Sequence, residues 1–237
     1  MNLSAVRVFW PRSPLPGNMG DVWTPWLLAQ LGLAATWTAQ GTAGKLLFTG
    51  SIARFAQRGD TVIGSGIISK TDALNGGAEY LCVRGPETGR KCGCENYGDP
   101  ALLAPFYIAP GHKREAELTV VPHYVHEPVA GMDCLSPLTT DVRATVQSIS
   151  GCQAVVSSSL HGIIFAHAYG IPAGWWRPDN RLDGDDVKFE DYAKSAGVEL
   201  NPGTDPEAVD LVVPDSHLIA ELQENIRTAL LTWMHQL

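Results

Sequence analysis

Short apolar runs, set between breaks rich in Gly, Pro and Ser, alternate along the chain between two kinds. Some have the length and β-branched or aromatic content of buried strands: Ala5 to Trp10, Leu46 to Phe48, Thr61 to Ile63 and Tyr80 to Val83, then Leu118 to Val121, Ala154 to Ser157 and Ile171 to Trp175. Others are spaced for helices. Asp21 is placed to cap a helix that stops at Gly32, and Pro86 suits a first helical turn. Asp141 to Ser150, His161 to Tyr169 and the amphipathic Ser216 to Met234 read as three more. Strands alternating with helices predict an α/β protein built on parallel sheets with helices on both faces. The strand at Leu118 starts the pattern again, dividing the chain into residues 1–116 and residues 117–237. Ligands of such sheets sit beyond the carboxyl ends of the strands, so two units facing each other would hold a cleft between Asp21 and His161. Lys70 to Gly77 and Asp179 to Asp186 fit neither kind of run. The second reads as a solvated turn, with carboxylates chemically suited to sugar contact.

Composition narrows the partners. Hydrophobic residues make up 45% of the 237 and charged residues 18%, which is ordinary for a globular chain. A net charge of −8 argues against nucleic acid and against a basic face resting on anionic lipid, so an anionic ligand must be met by a few local cations. No apolar run has the length of a membrane span, and Met1 to Trp10 lacks the basic, apolar and small-residue regions of a signal peptide. Five cysteines, an odd number, suit a reducing compartment. The expected location is the cytoplasm. Cys92 and Cys94 are spaced more tightly than paired zinc ligands usually are, and free thiols are expected there rather than a metal.

Four constellations carry candidate chemistry. Asn18-Met19-Gly20-Asp21 follows a strand and opens a helix, where backbone amides and a dipole end can face an anion; Asp21 is there either a cap or a reacting carboxylate. Arg84, at a strand end beside a helix start, can grip carboxylate or phosphate with two parallel bonds, or pair with an acid such as Glu87. Ser157-Ser158-Ser159-Leu160-His161-Gly162 gathers three hydroxyls and an imidazole at a strand-to-helix passage. One cap needs only one hydroxyl, so phosphate binding with acid–base work by His161 is the fuller reading. His123 and Tyr124 come just after the first strand of the second unit, lining the cleft or satisfied within the core.

In this order the segments resemble the polysaccharide pyruvyl transferase family. The resemblance runs through Asn18-Met19-Gly20-Asp21, Ile63-Gly64-Ser65-Gly66, Val83-Arg84-Gly85-Pro86-Glu87-Thr88, Gly98-Asp99-Pro100-Ala101, Val121-Pro122-His123-Tyr124 and Ser158-Ser159-Leu160-His161-Gly162. It continues through Ala168-Tyr169-Gly170-Ile171-Pro172 and Lys188-Phe189-Glu190-Asp191-Tyr192. It implies two Rossmann-like lobes facing a cleft, like the two-lobed GT-B glycosyltransferases. It also implies a phosphoenolpyruvate donor and no metal or organic cofactor, with transfer of the pyruvyl unit as a ketal to two hydroxyls of a hexose. The acceptor would be an exopolysaccharide or its lipid-linked precursor, and peripheral association with membrane-bound assembly enzymes would follow from that.

Carried over residue by residue, the resemblance makes Asp21, His161 and Arg84 catalytic. Asn18, Gly20, Ser65, His123, Tyr124, Ser158, Ser159 and Gly162 become substrate-binding. Many members have Arg where this chain has Ser159, which is similar to the branch acting on exopolysaccharides and leaves the donor one cation short. Ser158, Ser159 and the helix amides are then expected to share the phosphate, with charge from Arg84 and His123. Trp175 and Trp176 are candidate sugar-stacking faces. A glycosyltransferase with a nucleotide-sugar donor, or a non-catalytic carbohydrate-binding protein on the same scaffold, would also fit the residues.

Overall fold

The structure, a computed structural model, describes residues 4–237. Met1, Asn2 and Leu3, the start of the segment read for a signal peptide, lie outside the described residues.

Two parallel sheets form the frame. The first contains β1 (Ser4–Phe9), β2 (Leu33–Trp37), β3 (Leu46–Leu47), β4 (Thr61–Ile63) and β5 (Glu79–Cys82), in the order β2-β1-β3-β4-β5. The second contains β6 (Thr119–Val121), β7 (Asp133–Cys134), β8 (Val155–Ser157) and β9 (Ala173–Trp175), in the order β7-β6-β8-β9. Every pairing within them is parallel. The helices are α1 (Met19–Gln30), α2 (Pro86–Cys92), α3 (Val142–Ser150), α4 (Leu160–Ala168), α5 (Val187–Ser195) and α6 (Ser216–Met234), with a 3-10 helix at Pro100–Phe106. The expected α/β class of parallel sheets is present.

Three elements depart from the sequence reading. The cap of α1 is Asn18, whose side chain accepts the Gly20 amide at 3.0 Å; Asp21 lies inside the first turn and is free for other work. Beyond Gly32, which takes a left-handed φ of 76°, the chain enters β2, an edge strand whose Thr36 and Trp37 are exposed and whose apolar pattern is correspondingly weak. After the acidic turn comes α5, which buries Lys188 and Asp191 together with Phe189 and Tyr192.

One core cluster runs through both sheets. Met19, Trp23 and Leu27 recur on one face of α1, and Trp23 meets Phe165 of α4 edge-to-face at 5.3 Å. On α3, Val142, Val146 and Ile149 keep a helical spacing. Each such buried side chain contributes roughly 1.5–3 kcal/mol relative to exposure. Ile219, Leu222, Ile226, Leu230 and Trp233 form the buried stripe of α6, which lies over β4, β5 and the 3-10 helix at Pro100. Residues 216–234, numbered with the second unit in the sequence division, therefore pack with the first sheet. Gln223 donates to the Leu102 carbonyl at 2.9 Å and Asn225 to the Tyr97 carbonyl at 3.1 Å. Among the described residues no helix is long and apolar enough to cross a membrane.

Candidate functional site

In each sheet the chain reverses direction across its first strand: from β1 it passes to β2 on one side and β3 on the other, and from β6 to β7 and then β8. Such reversals leave a crevice at the carboxyl ends of the strands. The two crevices open on one cleft of about 360 Å³. Phe9 at the end of β1, Pro11 beyond it and Gly50 to Ile52 after β3 line one wall; His123 and Tyr124 after β6 and Ser159 to His161 after β8 line the other. Asn18 and Asp21 of the α1 turn and Lys188 of α5 also reach it.

The serine cluster divides its work. Ser157 Oγ lies 2.6 Å from the Val121 carbonyl and accepts the Ser159 amide at 3.0 Å, with Gly162 closing over it where a Cβ would collide. Ser158 is fully buried: its Oγ accepts the His123 amide at 2.8 Å and donates to His126 Nδ1 at 2.8 Å, while His126 Nε2 donates to Asp179 Oδ1 at 3.1 Å. Its hydroxyl is spent on this chain, so the expectation that Ser158 shares a phosphate is corrected. Ser159 stands at the N-cap of α4 without a capping bond from its side chain and lines the cleft. Of the three, it is the serine placed to meet a ligand beside the first amides of α4.

His161 is fixed by what surrounds it. Its Nδ1 edge rides over Gly20, where any Cβ would collide with the ring. Its Nε2 is buried without a hydrogen-bond partner, 3.7 Å from the equally unpartnered Oδ2 of Asp99. Burial, with the nearby Arg84 and Lys188 charges, drives the imidazole down to about 3, so it is neutral at physiological pH. His123, its ring 4.1 Å from that of Tyr124, is likewise lowered to about 3, chiefly by burial. It therefore supplies no charge, contrary to the expectation.

Asp21 is pushed up to about 7 by burial, an effect that Lys188 partly offsets. Lys188 is buried, and among the described residues no carboxylate lies within ion-pair distance of its ammonium; burial brings it down to about 8. Arg54 also reaches the cleft, over the Phe55 ring at 4.8 Å.

Arg84 stands behind the wall. Fully buried, it donates from Nε to Asp191 Oδ2 at 3.2 Å, from Nη1 to Ser51 Oγ at 2.7 Å and from Nη2 to the Ile67 carbonyl at 2.6 Å. Ser51 lines the cleft, so Arg84 bears on the site through it. Ser65 is similar: its Oγ donates to the Gly50 carbonyl at 2.8 Å and accepts the Ile52 amide at 3.3 Å, bracing the loop that forms the wall. Trp175 stacks on Phe189 at 4.3 Å and Trp176 donates to the Thr204 carbonyl; both are buried away from the cleft, and neither offers a sugar-stacking face. The sequence reading missed Lys188 and Asp99 as site residues, although both fall in segments quoted for the family resemblance. The five cysteines are free, and among the described residues no group of three His, Cys, Asp or Glu side chains is disposed to hold a metal.

Fold and cleft define an α/β protein whose cleft brings cations and a helix N-terminus together beside titratable groups. Residues 36–175, more than half of the chain, match the polysaccharide pyruvyl transferase family, and the chain belongs to that family. It is also 31% identical over 175 residues to an uncharacterised protein of Acanthamoeba polyphaga mimivirus, a match covering 64% of this chain. The chain spans about 60% of that relative's length.

Proposed function

We propose that this chain transfers the pyruvyl unit of phosphoenolpyruvate to two hydroxyls of a hexose in an exopolysaccharide or its lipid-linked precursor. The work would be done between two Rossmann-like lobes of the GT-B kind. The observation that carries the reading is the pairing, in one cleft, of a buried lysine that has no ion-pair partner among the described residues with the N-terminus of α4. Lys188, Ser159 and the first amides of α4 suit a small, multiply charged anion, which phosphoenolpyruvate is. Lys188 replaces the cation expected from Arg84. No organic cofactor enters this scheme.

The reaction balances within this set of groups. The methylene carbon gains a proton, a hydroxyl oxygen bonds to the cationic carbon, the C–O bond to phosphate breaks, and a second hydroxyl closes the ketal. Two protons leave the hydroxyls; one replaces that given to the methylene and the other departs with phosphate. Asp21, near 7, can give and take a proton at neutral pH, and His161 is a neutral base. Tyr124, 41% exposed at the cleft, offers the acceptor sugar a flat face. We place the reaction in the cytoplasm, in keeping with five unpaired thiols, and in reach of membrane-bound assembly enzymes.

Incubation with phosphoenolpyruvate and a panel of hexosides and lipid-linked oligosaccharides, read as phosphate release and product mass, tests the reading. Phosphoenolpyruvate should also raise the melting temperature. Stabilisation by nucleotide-sugars with none by phosphoenolpyruvate would favour glycosyl transfer, and sugar binding without phosphate release a non-catalytic role.

A further inference from the structure

Two buried polar atoms in this structure lack partners and face each other. Asp99 Oδ2 and His161 Nε2 lie 3.7 Å apart, each without a hydrogen bond, although buried polar groups are rarely left unpaired. The other oxygen of Asp99 is committed: Oδ1 accepts the Ala101 amide at 2.9 Å and so caps the 3-10 helix that begins at Pro100. Capping fixes the carboxylate plane and aims Oδ2 at the imidazole. Gly20 leaves room for the Nδ1 edge of the ring to pack against α1, and His161 as a whole lines the cleft.

We propose that Asp99 is the positioning residue of His161: its carboxylate is the acceptor opposite Nε2–H, fixing the tautomer that leaves Nδ1 bare. Further charges surround the pair. Arg84, Lys188 and His123 face the imidazole, and Arg84 and Asp191 face the carboxylate. Burial raises Asp99 to about 6, and the Ala101 amide and Arg84 hold it from going higher, so at neutral pH it is a carboxylate opposite a neutral ring. An imidazole held in this way gains a proton at Nδ1 more readily, because the resulting cation lies against an anion.

The consequence for catalysis rests on the pyruvyl-transfer reading; the tautomer does not. The test is therefore spectroscopic. Two-bond proton–nitrogen correlations of the protein labelled at its histidines, with His161 assigned by His161→Gln, should show His161 as the Nε2–H form. In Asp99→Asn, Oδ1 still accepts from Ala101, which turns the amide nitrogen toward Nε2 as a donor. His161 should then move to the Nδ1–H form. Turnover should fall on the order of 10²–10⁴-fold with little change in donor affinity. A wild-type His161 in the Nδ1–H form overturns the proposal, and so does an unchanged tautomer in the Asp99→Asn protein. Should Asp99→Asn not fold, the wild-type spectrum decides alone. A tautomer that switches in a protein without phosphoenolpyruvate turnover would refute the pyruvyl reading and leave the positioning role standing.

Discussion

Replacing Lys188 with Met should make the protein more stable and a poorer binder of its donor. The cleft is lined by Lys188, a residue only 8% exposed, whose ammonium has no ion-pair partner among the described residues. Its fall from 10.5 to about 8, caused first by burial and next by Arg84, corresponds to a cost on the order of 3 kcal/mol for carrying the charge. A lysine with a folded value below its unfolded one costs stability in full below about pH 8, and the cost fades as pH rises toward 10.5. Met keeps most of the apolar stem and removes the charge. Asp21 loses its neighbouring cation and goes over to the neutral acid. The Lys188→Met protein should therefore melt several degrees higher at pH 7, at about 2–4 °C per kcal/mol for a chain of this size. The gap should close above pH 10. Removing a charge-assisted contact worth about 1.5–3 kcal/mol should weaken phosphoenolpyruvate binding about 10- to 100-fold, read as loss of the ligand-induced melting shift. A lower melting temperature would show that Lys188 has a stabilising partner, and an undiminished phosphoenolpyruvate shift would remove it from the donor site.

Asp21→Asn should abolish turnover and, because the folded value is raised, gain stability over wild type as pH rises from 4 toward 7, with no gain below 4; urea unfolding across that range checks the sign. Gly20→Ala should cost about 1–3 kcal/mol by overpacking and displace the His161 ring, visible as a shift of its ring resonances alongside loss of activity. Asp191→Ala breaks the buried pair with Arg84 and the bonds to the Glu87 and Thr88 amides that begin α2, and should cost about 3–5 kcal/mol in chemical denaturation; a loss below 1 kcal/mol would contradict that account. Trp176→Phe should leave the acceptor KM unchanged.

What could be read from the chain was what neighbours in sequence determine. The strands β1 and β8 and the helices α3 and α6 announce themselves by period, and α4 by its place between strands. The meeting of Asp21 with His161 follows from the rule that parallel sheets bind at strand ends. Long-range pairing was hidden. Arg84 looked like a ligand cation because nothing near it in sequence showed that Asp191, 107 residues away, would engage it. The helix α5 was concealed for a related reason: it buries a lysine and an aspartate, so its pattern mimics a continuation of the acidic turn before it. Lys188 reaches the cleft only because that helix places it there. Asp99 carries no local sign beyond a cap, and its second oxygen gains meaning only from the imidazole the fold sets opposite.

The course of α6 bears on how the protein is made. Strands β4 and β5 and the turn at Gly98, where a Cβ would press on Ile226, are covered by a helix synthesised long after them. The first sheet therefore emerges from the ribosome with part of its apolar surface bare and stays so until residues 216–234 follow. Folding in order of synthesis, the usual habit of larger chains, is closed to this one: its first sheet must wait for α6. A nascent chain stalled before Ser216 should thus be a client for chaperones, and residues 1–116 expressed alone should aggregate.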